Sequence, residues 1–199
     1  YQAAISARHR FPMGKYAAVH ALLTARPRPS AAELHRAAPA TLDQAARAHD
    51  LNYVERLVAG ALSDREVRDI GLPQNASVVA RAFASAGGTL LACRLAKDAA
   101  TGLAASLAGG SHHANRAGGR GFCVMNDVGV ALSTLLTEPN PWLKRALVVD
   151  LDVHQGDGTA EIFADEPRVF TASLHCQDNY PFTKAISDLD IGLPAGTGD

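Results

Sequence analysis

The chain has 199 residues, 47% hydrophobic and 20% charged, and suits one domain, residues 1–199, able to bury roughly 70% of its unfolded surface. Its 19 Lys and Arg against 20 Asp and Glu leave a formal net charge of -1, which excludes the basic surplus of a nucleic-acid binder, so no direct nucleic-acid contact is expected. No run of about 20 apolar residues stands out as a bilayer span, so no membrane association is expected either.

In chain order, Gly14 to Thr24 reads as a helix, and the spacing from Ser30 to Glu33 is that of a capping box opening a second. Leu42 to Ala48 and Asp50 to Leu62 continue the helical pattern, and Leu72-Pro73 breaks it. Ala76 to Ala100 has apolar residues at helical spacing, with Gly87-Gly88 marking close packing or a bend. Leu103 to Leu107 is expected as a short strand, and Asn126 or Asp127 to cap a helix through Leu136. Arg145 to Asp152 is a strand, Thr159 to Ala164 a helix and Arg168 to His175 a strand; the tail from Leu193 is a loop. Alternating strands and helices predict an α/β fold of right-handed βαβ units around a mainly parallel sheet that stops in mid-domain.

The chemistry gathers at the end of the strand that begins at Ala146. Its apolar run Ala146-Leu147-Val148-Val149 suits a parallel strand buried on both faces. Side chains alternate, so Asp150, Asp152 and His154 share one side and Leu151 and Val153 the other. Ligands in open α/β sheets bind beyond the carboxyl ends of the strands. Two buried carboxylates cost several kcal/mol without a compensating cation, so the pattern points to a metal centre. His112-His113, on the Gly-rich loop before it, supply further imidazoles. Adjacent histidines on such a loop are more often exposed than catalytic, but this context reverses that reading.

The segments GGSHHANRAGGRGFCVMNDV (109–128), VVDLDVHQGDGT (148–159) and SLH (173–175) resemble the histone deacetylase and acetylpolyamine amidohydrolase superfamily, and HRFPMGKY (9–16) is most similar to its bacterial and class IV members. The resemblance implies a three-layer α/β/α arginase-deacetylase fold and a zinc-dependent hydrolase of linear amides, acting on acylated lysine or a small acylated amine. It also implies that the domain lacks its final third and a short N-terminal segment.

Carried over by position, the resemblance makes Asp152 and His154 zinc ligands. It makes His113 the general base and acid, held by Asp157, and His112, held by Asp150, the cationic charge stabiliser. A third ligand, an Asp, and an oxyanion-binding Tyr belong to later segments. Asp178, Asp188, Asp190 and Asp199 are poor substitutes as ligand, since they lie in a polar loop with no strand end to place them. The carbonyls of Asp150, Asp152, His154 and Leu174 with the Ser173 hydroxyl match a potassium site, and Phe163, Glu166 and Val169 a second monovalent site, where Glu166 departs from the usual residue. Gly121 and Phe122 line the tunnel for the acyl-lysine stem, opposite Tyr180 or Phe182, and His9 to Met13 form part of its rim.

Other readings of the same residues are weaker. DLDVHQGDGTAE (150–161) has acids at three EF-hand positions, but Gln155 replaces the required Gly and a strand precedes it. A magnesium-dependent DxD phosphotransferase has a poor partner in imidazole, and a non-catalytic binding module is the remaining alternative. Cys93, Cys123 and Cys176 form no close pair, which suits a reducing, cytoplasmic compartment, and Cys123 and Cys176 read as packing residues. His9, His20, His35 and His49 lack ligand spacing and read as surface or helix residues.

Overall fold

The computed structural model describes residues 1–25 and 33–198. Helix α1 spans Lys15–Ala25, as expected. Ser30 lies outside the described residues, and the helix expected from it is not seen over 33–40, where the chain is irregular. Pro39 disfavours helical geometry at Ala38, and Ala40 N–H donates to Phe83 O, laying the chain along a later helix.

Capping residues set the next boundaries. Thr41 and Gln44 form a reciprocal capping box at α2, Leu42–Ala48. Helix α3, Leu51–Ala59, ends at Gly60 in the left-handed region. A helix that the pattern reading missed, α4, Asp64–Ile70, opens on a second capping box, Ser63 with Glu66. Asn75 accepts from Ser77 N and Val78 N to start α5, Ala76–Asp98, which runs unbroken through Gly87-Gly88. Close packing is the reason for that pair: a Cβ on Gly87 would stand 2.0 Å from Ala38 O.

Helix α5 is long and apolar enough to cross a bilayer by length and composition, contrary to the expectation that no such stretch exists. Within the fold it is a core helix, burying Val78, Ala82, Ala86 and Leu90. Residues 103–107 form no strand, and Leu103 and Leu107 are exposed rather than hydrogen-bonded into the sheet. Asn126, not Asp127, caps α6, Asp127–Thr137, by accepting from Gly129 N.

The sheet follows. β1, Ala146–Asp150, leads through α7, Asp157–Phe163, to β2, Val169–Cys176, and then β3, Leu189–Leu193. Among the described residues these form a parallel sheet in the order β1-β2-β3, with Asp150 opposite Ser173 and Ser173 opposite Asp190. Strand β3 corrects the expectation of a polar loop, because Asp190 sits in a strand. Ala146 and Val148 pack against Leu132, Leu136, Ile162 and Phe163, so α6 and α7 cover one sheet face. Leu147 is 65%, Val149 52% and Leu151 72% exposed on the other. Burial of β1 on both faces is therefore not observed within this chain.

Candidate active site

Three segments meet at the carboxyl end of β1. The first, carrying His112 and His113, is fixed by buried polar bonds. Asp127 accepts from Ser111 N at 2.7 Å, Gly110 N at 3.2 Å and Thr89 Oγ1 at 2.5 Å. Asn126 Nδ2 donates to Ala114 O and Thr159 Oγ1, and Thr159 N donates to His112 O. Helix α7 comes so close that a Cβ on Gly158 would lie 2.3 Å from Ala114 O. Asp127 holds the loop rather than capping a helix, a role that helical periodicity does not reveal.

Two His-Asp pairs result. His112 Nδ1 lies 2.6 Å from Asp150 Oδ2, and His113 Nδ1 lies 2.6 Å from Asp157 Oδ1, with the imidazole centroids 4.1 Å apart. Both pairings are those expected. Their surroundings push the rings apart electrostatically. Burial lowers His112, but the Asp150 hydrogen bond and the charges of Asp150, Asp152 and Asp157 outweigh it, and the net shift is upward. Burial also lowers His113; the Asp157 bond opposes this, neighbouring His112 and His154 reinforce it, and the net shift is downward.

Asp152 and His154 complete the cluster. Beyond Asp150 the chain turns, with Asp152 N donating to Asp150 Oδ1 and His154 N to Asp152 Oδ1. His154 Nδ1 stands 2.8 Å from Asp152 Oδ1, and His112 Nε2 stands 3.9 Å from that same oxygen. This half-exposed carboxylate and imidazole, bonded to each other, are of the donor types that zinc takes. Catalytic zinc usually takes three protein ligands, and among the described residues no group of three or more His, Cys, Asp or Glu is arranged to hold a metal. Asp190 accepts from Gln155 Nε2 and Ser187 N, and Asp188 from Thr171, so local bonds occupy both acids.

The β1-β2 register sets Asp150 beside Ser173, whose Oγ lies 3.4 Å from Gly156 N and 3.0 Å from His175 Nδ1; Leu174 follows it. At the second set, Phe163 O accepts from Glu166 N and Glu166 O from Val169 N, so two of the three carbonyls already serve a turn. No helix precedes the 150–161 segment as an EF-hand requires; β1 does.

A cavity of about 500 Å³ opens beside His113, lined by Gly121, Phe122 and Tyr180 together with Arg8, His9, Arg10, Arg68, Asp69, Ile70 and Gly71. Gly121, at φ +55°, is wedged in: a Cβ there would stand 2.7 Å from His113 Cδ2 and 3.2 Å from Tyr180 Cε1. Phe122 packs on Phe11 and His9. Tyr180 lies 4.9 Å from His113, ring to ring, and lines the cavity next to Gly121. Phe182 is 88% exposed and does not line the cavity.

Arg120 was not singled out from the sequence. Its Nε donates to His113 O, and its Nη2 approaches Asp157 Oδ2 at 3.0 Å and Glu161 Oε1 at 2.5 Å. A second Arg on a Gly-rich loop gave no signal until the fold brought α7 alongside. His49 corrects its surface reading: it is 1% exposed, with Nδ1 donating to Asn115 O and Nε2 accepting from Asn126 N. Burial lowers it to about 4, so it is a neutral core residue. Cys123 is a buried thiol pushed up to about 12, as expected of packing.

The histone deacetylase domain family matches residues 9–198. The chain belongs to the histone deacetylase family. Among sequence relatives of this deacetylase-family chain, an uncharacterised protein of Picosynechococcus is 43% identical over 201 residues, covering all of the chain and 65% of that protein. Human histone deacetylase 1 is 36% identical over 109 residues, covering 54% of this chain and 22% of its own length. The fold matches crystal structures of a deacetylase homologue bound to SAHA and of one from Aquifex aeolicus, with TM-scores of 0.75 and 0.73 at 23% and 22% identity. The chain spans 57% and 56% of those two proteins. Its fold is thus the α/β deacetylase fold, seen over little more than half of their length.

Proposed function

We propose that the protein is a zinc-dependent amidohydrolase that removes an acetyl or longer acyl group from lysine or a related acylated amine. The observation that carries this reading is the His113-Asp157 pair standing beside the Asp152-His154 donor pair, with the His113 and His154 rings 5.6 Å apart. Asp152 and His154 would hold zinc, with a third ligand and an oxyanion-binding Tyr assigned outside these 199 residues. Bound zinc supplies Lewis-acid polarisation of the amide carbonyl and a water of lowered pKa.

The chain's own groups do the rest. Asp157 engages His113 Nδ1 and so fixes the tautomer with a free Nε2, which takes a proton from the attacking water and returns one to the leaving amine. His112, held by Asp150, carries positive charge where the tetrahedral oxygen develops. Gly121, Phe122 and Tyr180 hold the acyl-lysine stem. The carbonyls of Asp150, Asp152, His154 and Leu174 with Ser173 Oγ would hold potassium, a set of oxygen donors suited to a hard cation; Phe163, Glu166 and Val169 are the weaker second site. The cysteines are free thiols, which supports a cytoplasmic setting.

The test is hydrolysis of an acetyl-lysine amide by the intact protein, before and after chelation and on readdition of zinc or magnesium. Zinc-restored turnover is expected. Magnesium-restored phosphoryl transfer without hydrolysis would favour the phosphotransferase, and stoichiometric zinc without turnover the binding module.

A further inference from the structure

The cavity beside His113 has an electrostatic character that the hydrolytic chemistry does not require. Its lining residues include three arginines, Arg8, Arg10 and Arg68, against one acidic residue, Asp69. Asp69 is also drawn to Arg65, 3.8 Å away one helical turn earlier. Among the described residues, Arg8, Arg10 and Arg68 form no ion pair with a carboxylate, whereas Arg47, Arg56, Arg65, Arg94, Arg120 and Arg168 each do. All three are exposed. In a protein of net charge -1, like charges gathered at one opening are a cost unless an anion meets them, and a cleft lined by one sign of charge draws in ligands of the other.

We infer that the substrate presents its acylated lysine within an acidic peptide segment, and that Arg8, Arg10 and Arg68 engage carboxylates flanking that lysine. This rests on the proposed deacylase reading, which places the acyl-lysine stem in the cavity lined by Gly121, Phe122 and Tyr180. The arginines come from two separate stretches, the N-terminal segment and α4, so more than one flanking carboxylate can be met. Guanidinium groups suit this because they bind carboxylates through paired N–H donors.

The experiment uses the intact, zinc-loaded protein and three acetyl-lysine peptides of equal length, flanked by Glu, by Gln or by Lys. Fluorescence anisotropy gives Kd and hydrolysis gives kcat/KM. At low salt the Glu peptide is expected to show a Kd about 5- to 10-fold lower and a kcat/KM about 5- to 10-fold higher than the Gln peptide, with the Lys peptide weakest. That advantage shrinks at about 500 mM salt, where screening shortens the reach of charge. Replacing the three together, Arg8→Gln, Arg10→Gln and Arg68→Gln, brings the Glu-to-Gln ratio near one. Equal Kd and kcat/KM for the three peptides at low salt overturns the inference while leaving the deacylase reading intact. Absence of hydrolysis with all three overturns the deacylase reading, and the Kd ratio alone then decides the role of the arginines.

Discussion

The Arg120 guanidinium Nη2 lies 3.0 Å from Asp157 Oδ2, the carboxylate oxygen that His113 leaves free. Arg120 Nε also donates to the His113 carbonyl, so one side chain engages both members of the pair proposed as the general base and lines no part of the cavity. In the proposed chemistry it is a positioning residue. Arg120→Met is expected to lower kcat by roughly 10- to 100-fold, the usual effect of removing a group that orients a site histidine, with KM changed little. Arg120→Lys should recover part of the loss. A rise in KM at constant kcat would show that Arg120 acts on binding instead.

Gly121 predicts a second kinetic effect. Its φ of +55° disfavours any other residue, and a Cβ would stand 2.7 Å from His113 Cδ2. Gly121→Ala should cost about 1 kcal/mol of stability from backbone strain and, by displacing the imidazole or Tyr180, at least about tenfold in turnover. Wild-type kcat in this variant would mean that the cavity wall yields and His113 is not held against it.

The buried His49 predicts an acid limb in stability. Its ordinary value is 6.5 and the folded value about 4. Above pH 6.5 both states are neutral and nothing is lost. As pH falls from 6.5 towards 4, the unfolded chain takes up the proton that the folded one refuses, and stability declines by about 3 kcal/mol across that window. Denaturant midpoints measured from about pH 7 to pH 4.5 should fall less steeply in His49→Gln than in wild type. Parallel slopes would show that other groups set the acid limb.

What the sequence made legible follows from how local each signal is. The His-Asp partners, the zinc-type donors and the parallel strands are written in short contiguous motifs, and the structure brings His112, His113, Asp150, Asp152, Asp157 and His154 together as read. Arg120, Asp127 and His49 were missed in their roles because each acts through a backbone group or carboxylate distant in sequence. Strand β3 was missed although Leu189, Ile191 and Leu193 alternate with Asp190 and Gly192, the period of a strand, because the stretch is short and sits among polar residues. The 103–107 segment, Leu-Ala-Ala-Ser-Leu, has neither β-branched nor aromatic residues and forms no strand.

The uncovered face of β1 makes a prediction about the 199-residue polypeptide expressed by itself. Leu147, Val149, Leu151 and Phe170 form an exposed apolar surface, and such a surface favours association. Sedimentation should show concentration-dependent oligomers, reduced by Leu147→Thr with Val149→Thr, and no acetyl-lysine hydrolysis. A monodisperse, active monomer at about 100 µM would contradict this, since the hydrophobic effect leaves so large a patch uncovered only rarely.

The central claim, that His113 moves protons while Asp152 and His154 hold the metal, is tested most directly by measuring zinc content and acetyl-lysine turnover together in intact His113→Ala and Asp152→Ala proteins. His113→Ala should keep stoichiometric zinc and lose about 100- to 10,000-fold in turnover, the range for removing a general base; Asp152→Ala should lose both zinc and turnover. Zinc lost from His113→Ala, or zinc retained by Asp152→Ala, would contradict it.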